Sequence, residues 1–498
     1  MSLKMKESDY GFELAQPNRL FIGGKWVAPL SERRLSLVNP VNERPFFEVP
    51  EASAADVGAA VAAARRAFDQ GPWPRTPPAD RAKTMRALAD ALMRRSAAIE
   101  RAWTLQIGTP VSMATGSAGA IVALLRYYAD HAEHFEFATV RKSGGYQSQV
   151  AVVAREPVGV VAAIAPWNGP LMTMMMKLAP ALAAGCVVIC KPAPETPLET
   201  FLLAEAAEEA GLPDGVINLL PAGREISELL VRHPGVDKVA FTGSTAAGLH
   251  IAAICASRMA RYTMELGGKS AAIVLADFEP ARVGPLLAPQ ITMGCGQACI
   301  NYSRVLVPRK RYDDYVESLA DCMGKTVVGD PMDPATYMGP MAMRRQLEKV
   351  LGYIDKGRSE GAQIATGGGR PKNLGAGCFV EPTVFAHASN QMVIAREEIF
   401  GPVTAVIPYD SEDEAVAIAN DSDYGLSGGV YTDDTDKAYA IARRIRTGNF
   451  TQNGREFDLT NPFGGFKKSG YGREGGVEAI DPYIELKSIF LPKRPTQL

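Results

Sequence analysis

Two textures of apolar residues divide the chain. In the opening third, apolar positions recur every three or four residues over 54–68 (AADVGAAVAAARRAF) and 80–92 (DRAKTMRALADAL), with Arg and Lys on the other side. That period predicts amphipathic helices acting as scaffold. From residue 158 the apolar positions form unbroken runs instead: VGVVAAIAP, GCVVICK, GVINLLP, DKVAFTGS and SAAIVLAD. Such runs predict strands buried on both faces of a parallel sheet, and the helical stretch 200–210 (TFLLAEAAEEA) between them predicts crossovers, hence a doubly wound, Rossmann-like α/β core. Beyond residue 277 the alternation continues more loosely, with helices expected over 313–323 and 434–444. Residues 146–153 (YQSQVAVV) and 483–492 (YIELKSIFLP) alternate polar and apolar positions, so both are expected as strands outside the core. Paired in a small projecting sheet, they would offer edges to other copies of the chain.

Length and composition narrow the class. At 498 residues the chain exceeds one ordinary core, so two or three domains are expected, large enough to enclose a dry site. Hydrophobic residues at 47%, charged residues at 22% and a net charge of -2 give no basic surface for nucleic acid or an anionic membrane. No run reaches the roughly 18 apolar residues of a membrane span, and the N-terminus has no apolar stretch between its charges, so a cytoplasmic location is expected. Seven scattered cysteines, without CxxC or HExxH, predict reduced thiols and no metal site.

Several segments carry residues suited to chemistry. GCGQACI sets Cys299 after small residues that expose a thiol at a backbone corner, although buried structural cysteines would read the same way. MELGGKS places Glu265 before a Gly-Gly pair, where a carboxylate can serve as a base or simply pair with Lys269. PWNGP ends the strand VGVVAAIA at the carboxyl edge where open α/β sheets build their sites, and the Asn168 amide there can donate to an oxyanion or only stabilise a turn. FTGSTAAG joins a strand to a helix through Gly243 and Ser244, offering free N–H groups to a phosphate, in a pattern any βα turn can show. Lys191 ends another strand, within reach of a ribose or in solvent.

In this order, PWNGP, KPAPETP, FTGSTAAG, MELGGKS, GQACI, EEIFGPV and NPFGGFKKSGYGRE resemble the aldehyde dehydrogenase superfamily over about residues 21–492. The resemblance implies Cys299 as nucleophile, Asn168 in the oxyanion hole, Glu265 as the base for hydrolytic water, and Lys177 with Glu474 as a proton relay. It implies a dinucleotide held by Ala165, Pro166, Trp167, Lys191, Gly243, Ser244, Leu266, Gly267, Glu398 and Phe400. The aldehyde would lie among Gly169, Met172, Met176, Ala298, Ile300, Arg455 and Phe463. Residues 1–137 and 157–267 would form the NAD(P)-binding domain and 268–452 the catalytic domain. Residues 138–156 and 479–498 would form an oligomerisation subdomain of a homodimer or homotetramer, with 453–478 returning to the cofactor side. Relatives that pass the acyl group to coenzyme A tend to lack the glutamate, so Glu265 favours release of a free acid.

Departures from the family pattern bear on cofactor and substrate. Pro194 stands where NAD-preferring relatives carry a Glu for the ribose hydroxyls, which leaves NADP open; NAD is placed slightly ahead because no Arg lies nearby in sequence to bind a 2′-phosphate. Gly294-Cys295 replaces a more usual Asn-Gln or Asn-Ala, and Cys295 is a candidate for a transient disulfide with Cys299. Gly169 replaces an aromatic residue, and Met172, Met174, Met175 and Met176 suit either an apolar tunnel or a Met-rich core helix. Medium or bulky apolar aldehydes are expected; Arg455 reads first as a solvated rim residue and second as a group that would bind a semialdehyde's acid end. Two rival classes fit parts of the pattern. A thiol hydrolase or acyltransferase without nicotinamide is opposed by five histidines with no dyad pattern, and a non-catalytic binding protein is opposed by the presence of both Cys299 and Glu265.

Overall fold

The computed structural model describes residues 11–145 and 147–496, so Tyr146, the first residue of one expected strand, lies outside the described residues. Its first sheet has six strands in the order Gly470–Tyr471, Arg261–Glu265, Lys238–Thr242, Val160–Ile164, Val187–Lys191, Ile217–Leu219. The last five are parallel, and Gly470–Tyr471 joins the edge antiparallel. From Val160–Ile164 the chain winds outward to Ile217–Leu219, then returns to lay Lys238–Thr242 on the other flank of the starting strand. The crevice between the carboxyl ends of those two strands is the point where strand order reverses, the usual binding place in an open α/β sheet.

SAAIVLAD belongs elsewhere than the expected run of strands suggested. Ser270–Val274 is in a second, seven-stranded sheet, between Tyr302–Pro308 and Ser427–Tyr431. Its place in the first sheet goes to Arg261–Glu265, whose exposed Arg261 and half-buried Tyr262 hid it from a search for apolar runs. Ala271 and Ile273 pack into one core and Ala272 and Val274 into another, so this strand is buried on both faces. Only the edge strand Gln363–Thr366 runs antiparallel in this sheet.

The expected helices occur as Ala54–Asp69, Pro78–Arg94, Leu198–Glu209, Tyr312–Gly324 and Thr435–Ala442. The first opens on a reciprocal cap in which Ser53 and Asp56 each bond the other's backbone N–H. The opening third also holds helices Ser96–Ile107 and Ser117–His134 and two hairpins, Leu20–Ile22 with Lys25–Val27 and Arg34–Asn39 with Arg44–Pro50, none of which the periodicity singled out. Outside the two large sheets, Val150–Pro157 is the centre of a three-stranded antiparallel sheet. It pairs along eight residues with Ile484–Leu491 and, on its other side, with the unexpected strand Ala138–Lys142.

Candidate active site

The crevice at the strand reversal holds a cleft of about 180 Å³. It is lined by Pro166, Trp167, Asn168, Gly243, Ser244, Leu266, Gly267, Cys299, Glu398 and Phe400, all singled out from sequence, and by Thr173, Thr242, Gln346 and Lys349, which were not. Ser244 caps helix Thr245–Ser257, its hydroxyl accepting from the Ala247 N–H, so the positive end of that helix opens into the cleft beside Gly243. The Trp167 and Phe400 rings meet edge to face at 5.3 Å.

Cys299 is held by an unusual loop. Gly294, Cys295 and Gly296 follow one another with φ of 59°, 58° and 66°, the left-handed region, where a non-glycine such as Cys295 costs roughly 1 kcal/mol. A side chain on Gly296 would strike the Gly401 carbonyl. Gln297 fixes the loop from inside, accepting at Oε1 from the Ala342 N–H (2.9 Å), while the Asn168 Nδ2 donates to the Gln297 carbonyl at 2.9 Å. The thiol keeps part of its surface open. Burial, then the Glu398 and Glu265 carboxylates, push it up to about 12, against the pull of the Cys299 and Ile300 N–H groups. At neutral pH this thiol is therefore protonated and needs a base.

The Gly267-Gly268 pair serves close approach. Neither residue has a positive φ. A Cβ on Gly267 would lie 2.3 Å from a Glu398 oxygen, and one on Gly268 2.3 Å from the Cys299 carbonyl oxygen. The Gly268 N–H instead donates to Glu398 Oε1 at 2.9 Å, fixing a carboxylate at the cleft wall.

Behind the thiol lies a buried polar cluster. Lys177 Nζ donates to Glu474 Oε1 at 2.7 Å, to the Thr242 hydroxyl at 2.6 Å and to the Thr173 carbonyl at 3.3 Å, with neither charged side chain more than 4% exposed. Removing one partner of such a pair costs about 3–5 kcal/mol because the other charge stays buried. Glu265 is raised well above the ordinary carboxylate range, first by burial and then by Glu474, and its Oε2 has no hydrogen-bond partner. Acting on Cys299 on one side and on Glu474 and Lys177 on the other, it is an acceptor with a free oxygen.

Other expected site residues sit differently. Ala165 is a buried link whose N–H donates to the Lys191 carbonyl, and Lys191, lowered to about 8 by burial, lies at the next strand end, outside the cleft. Glu195 pairs with Arg345, so the fold does bring an arginine close to Pro194, from 150 residues away. Gly169 caps helix Pro170–Ala184. Met174, Met175 and Met176 are core residues of that helix, which leaves Met172 as the one thioether of the four with open surface. Ala298 and Ile300 flank the thiol, half-buried, and Phe463 is buried with Phe457 against its ring edge at 5.3 Å. Cys295 packs apart from Cys299: its thiol lies 3.4 Å from Met341 Sδ in the core of the second sheet, whereas Cys299 packs against the core of the first. Arg455 is not solvated, since both terminal guanidinium nitrogens are buried without a partner. Among the described residues no group of three His, Cys, Asp or Glu side chains fits a metal ion.

Gln346 and Lys349 had no motif to betray them. They lie one turn apart on helix Arg344–Ser359, whose sequence reads as an ordinary amphipathic helix, and Gln346 Nε2 ties that helix to the Phe400 carbonyl at 2.8 Å. Thr242 was in view inside FTGS, but its bond to Lys177 crosses 65 residues.

Comparison with known proteins agrees with this geometry. The profile described as "Aldehyde dehydrogenase family" matches residues 26–489. Geranial dehydrogenase of Castellaniella defragrans is 47% identical over 95% of this chain and 98% of its own length. An aldehyde dehydrogenase of Mycobacterium tuberculosis, solved with NAD+, superposes with a TM-score of 0.92 at 44% identity, covering 95% of this chain and 98% of that one. A variant of aldehyde dehydrogenase C from Pseudomonas syringae, solved with NAD+ and octanal, gives a TM-score of 0.91 at 38% identity, covering 98% and 99%. The chain belongs to the aldehyde dehydrogenase family, enzymes that oxidise aldehydes with NAD(P).

Proposed function

We propose that the protein oxidises an aldehyde of medium or bulky size to the free carboxylic acid, through a thioester on Cys299 that Glu265 helps water to hydrolyse. The observation that carries this reading is the placement of one partly open thiol at the cleft, with the Asn168 amide on its loop and the unpaired Glu265 oxygen behind it. Glu265 takes the thiol proton and passes it outward by way of Lys177 and Glu474, which frees it to act again, and the thiolate adds to the aldehyde carbon. The Cys299 backbone N–H and the Asn168 amide stabilise the oxyanion that forms. A dinucleotide fits the residues present: helix Thr245–Ser257 and Ser244 for its phosphates, Glu398 and Lys349 for the inner ribose, and Phe400 beside the ring. When bound, the nicotinamide supplies the hydride acceptor. After hydride departure Glu265 deprotonates the attacking water, and Lys177 with Glu474 carry that proton outward.

The substrate wall is apolar: Met172, Cys299 and Ile300 pack, each with open surface, against the cluster that contains Leu459 and Phe463. NAD remains slightly ahead of NADP, because Arg345 is already paired with Glu195. The first sheet with its helices is the proposed cofactor domain and the second the catalytic domain. No helix among the described residues is long and apolar enough to cross a membrane, and the free cysteines suit a reducing cytoplasm. A panel of aldehydes of differing length and charge, each with NAD and with NADP, should yield stoichiometric acid and reduced cofactor, NAD being preferred. Folded protein that reduces neither cofactor with any member would sink the reading.

The three-stranded sheet supports a homodimer or homotetramer. Leu486 and Phe490 on Ile484–Leu491 are 70% and 63% exposed, apolar side chains on one face of an edge strand. Replacing both by Asp is expected to shift the native assembly to a smaller species in light scattering, with the fold retained by circular dichroism.

A further inference from the structure

Asn168 is held at two points. Its side-chain Nδ2 donates one N–H to the Gln297 carbonyl at 2.9 Å, which leaves the second N–H of the amide for the cleft that Asn168 lines. Its main chain is held from elsewhere in the chain: the Trp103 indole N–H donates to the Asn168 carbonyl at 3.1 Å, across 65 residues. The turn itself has few donors to offer that carbonyl, since Pro166 and Pro170 lack an N–H. Among the described residues, Trp103 supplies the one hydrogen bond to the Asn168 main chain. The next carbonyl, that of Gly169, is tied separately, accepting from the Thr173 N–H at 2.9 Å and the Thr173 hydroxyl at 2.7 Å.

The helix that carries Trp103, Ser96–Ile107, is itself anchored. One turn on, the buried Gln106 amide donates to Glu199 Oε2 at 2.9 Å and accepts from the Leu198 N–H at 3.0 Å, which fastens this helix to the start of helix Leu198–Glu209. An indole turns about only two torsions, so on a fastened helix its N–H has a narrow range of positions. An oxyanion hole works only when its donors are already aimed before charge develops. We propose that Trp103 is a positioning residue for the oxyanion hole: its indole N–H fixes the Asn168 main chain, so that the free amide N–H meets the oxygen of the adduct on Cys299. It acts through Asn168 and touches no reacting atom. This rests on the aldehyde-oxidising reading of the Cys299 site and adds a residue from the opening third of the chain to its machinery. A ring that served packing alone would change stability, with no coupling to the Asn168 amide.

Trp103→Phe keeps an aromatic ring and deletes the donor. Its rate of NAD(P)H formation in a single turnover with hexanal is expected to fall by about tenfold, with dinucleotide affinity unchanged. Asn168→Ala should cost about 10²- to 10³-fold. Added to Asn168→Ala, Trp103→Phe should cost less than about twofold more, because the amide it positions is gone. A trifluoromethyl ketone of the same chain length reads the hole without hydride transfer: the Cys299 sulfur bonds to the carbonyl carbon, the thiol proton passes to Glu265, and the C=O π pair moves onto oxygen as the oxyanion. Followed by fluorine NMR, Trp103→Phe should bind this ketone about tenfold more weakly than wild type, with no further loss in the Asn168→Ala background. A wild-type rate and ketone affinity in Trp103→Phe, or an equal loss with and without the Asn168 amide, overturns the proposal. If the wild type forms no NAD(P)H with any aldehyde, the reaction reading fails, while the ketone titration still decides on Trp103. Should Trp103→Phe not fold, benzothienylalanine incorporated at position 103, which puts sulfur in place of the indole N–H, carries both measurements.

Discussion

Cys299→Ala is expected to abolish NAD(P)H formation with every aldehyde, a fall in kcat on the order of 10⁴-fold or more, while the dinucleotide still binds. The expectation follows from the loop that presents the thiol. Gln297 and the three left-handed residues fix the backbone independently of the Cys299 side chain. The cleft wall formed by Ser244, Glu398 and Phe400 also stands without it. Three other cysteines are not placed to substitute: Cys295 faces Met341, and Cys186 and Cys190 are fully buried in the core of the first sheet. Initial rates at saturating aldehyde, with dinucleotide binding followed by fluorescence, make the measurement. Turnover within tenfold of wild type would rule out the thioester.

Glu265→Gln should separate the two halves of the reaction. Hydride transfer leaves a thioester that only an activated water resolves, so the variant, its thiol now deprotonated only by solvent, is expected to give one equivalent of reduced cofactor per site at a reduced rate and then stall. The steady-state rate should fall by about 10²- to 10⁴-fold. Rapid-quench mass spectrometry should find the acyl group on Cys299. The pH profile carries the sign. Burial and Glu474 raise the Glu265 carboxyl well above its ordinary range, so its neutral form persists to higher pH and the basic form appears only as pH climbs. Acyl-enzyme breakdown in the wild type should therefore rise with pH through that raised value and level off, and Glu265→Gln should lose the rising limb. Steady turnover without a burst, and with the same pH limb, would take the water-activating role from Glu265.

What the sequence disclosed was whatever is local in the chain. Unbroken apolar runs marked four of the five parallel strands of the first sheet, because a strand covered on both faces has no polar alternation to confuse it. The fifth, Arg261–Glu265, has only a two-residue strand on its outer side, and its polar start erased the signal. PWNGP and MELGGKS each carry their turn chemistry within a few residues, so Asn168 and Glu265 were visible. Gln346 and Lys349 were not, since what brings them to the cleft is the docking of a whole helix. Burial was the least legible property. An arginine between Gly454 and Glu456 looks solvated until the fold closes over it, and four methionines in one segment look alike until helix packing sends three inward.

The pairing of Gly470–Tyr471 with the edge of the first sheet has a consequence for biosynthesis. Ser469 accepts from the Leu266 N–H and donates to the Gly267 carbonyl, and five residues on Glu474 reaches Lys177, 297 positions earlier. As the chain emerges from the ribosome, Asn168, Glu265 and Cys299 are all made well before the segment that completes their surroundings. Contacts of such sequence separation form slowly. A nascent or truncated chain thus carries the nucleophile without its finished proton path, and competence arrives only when nearly the entire polypeptide has been released.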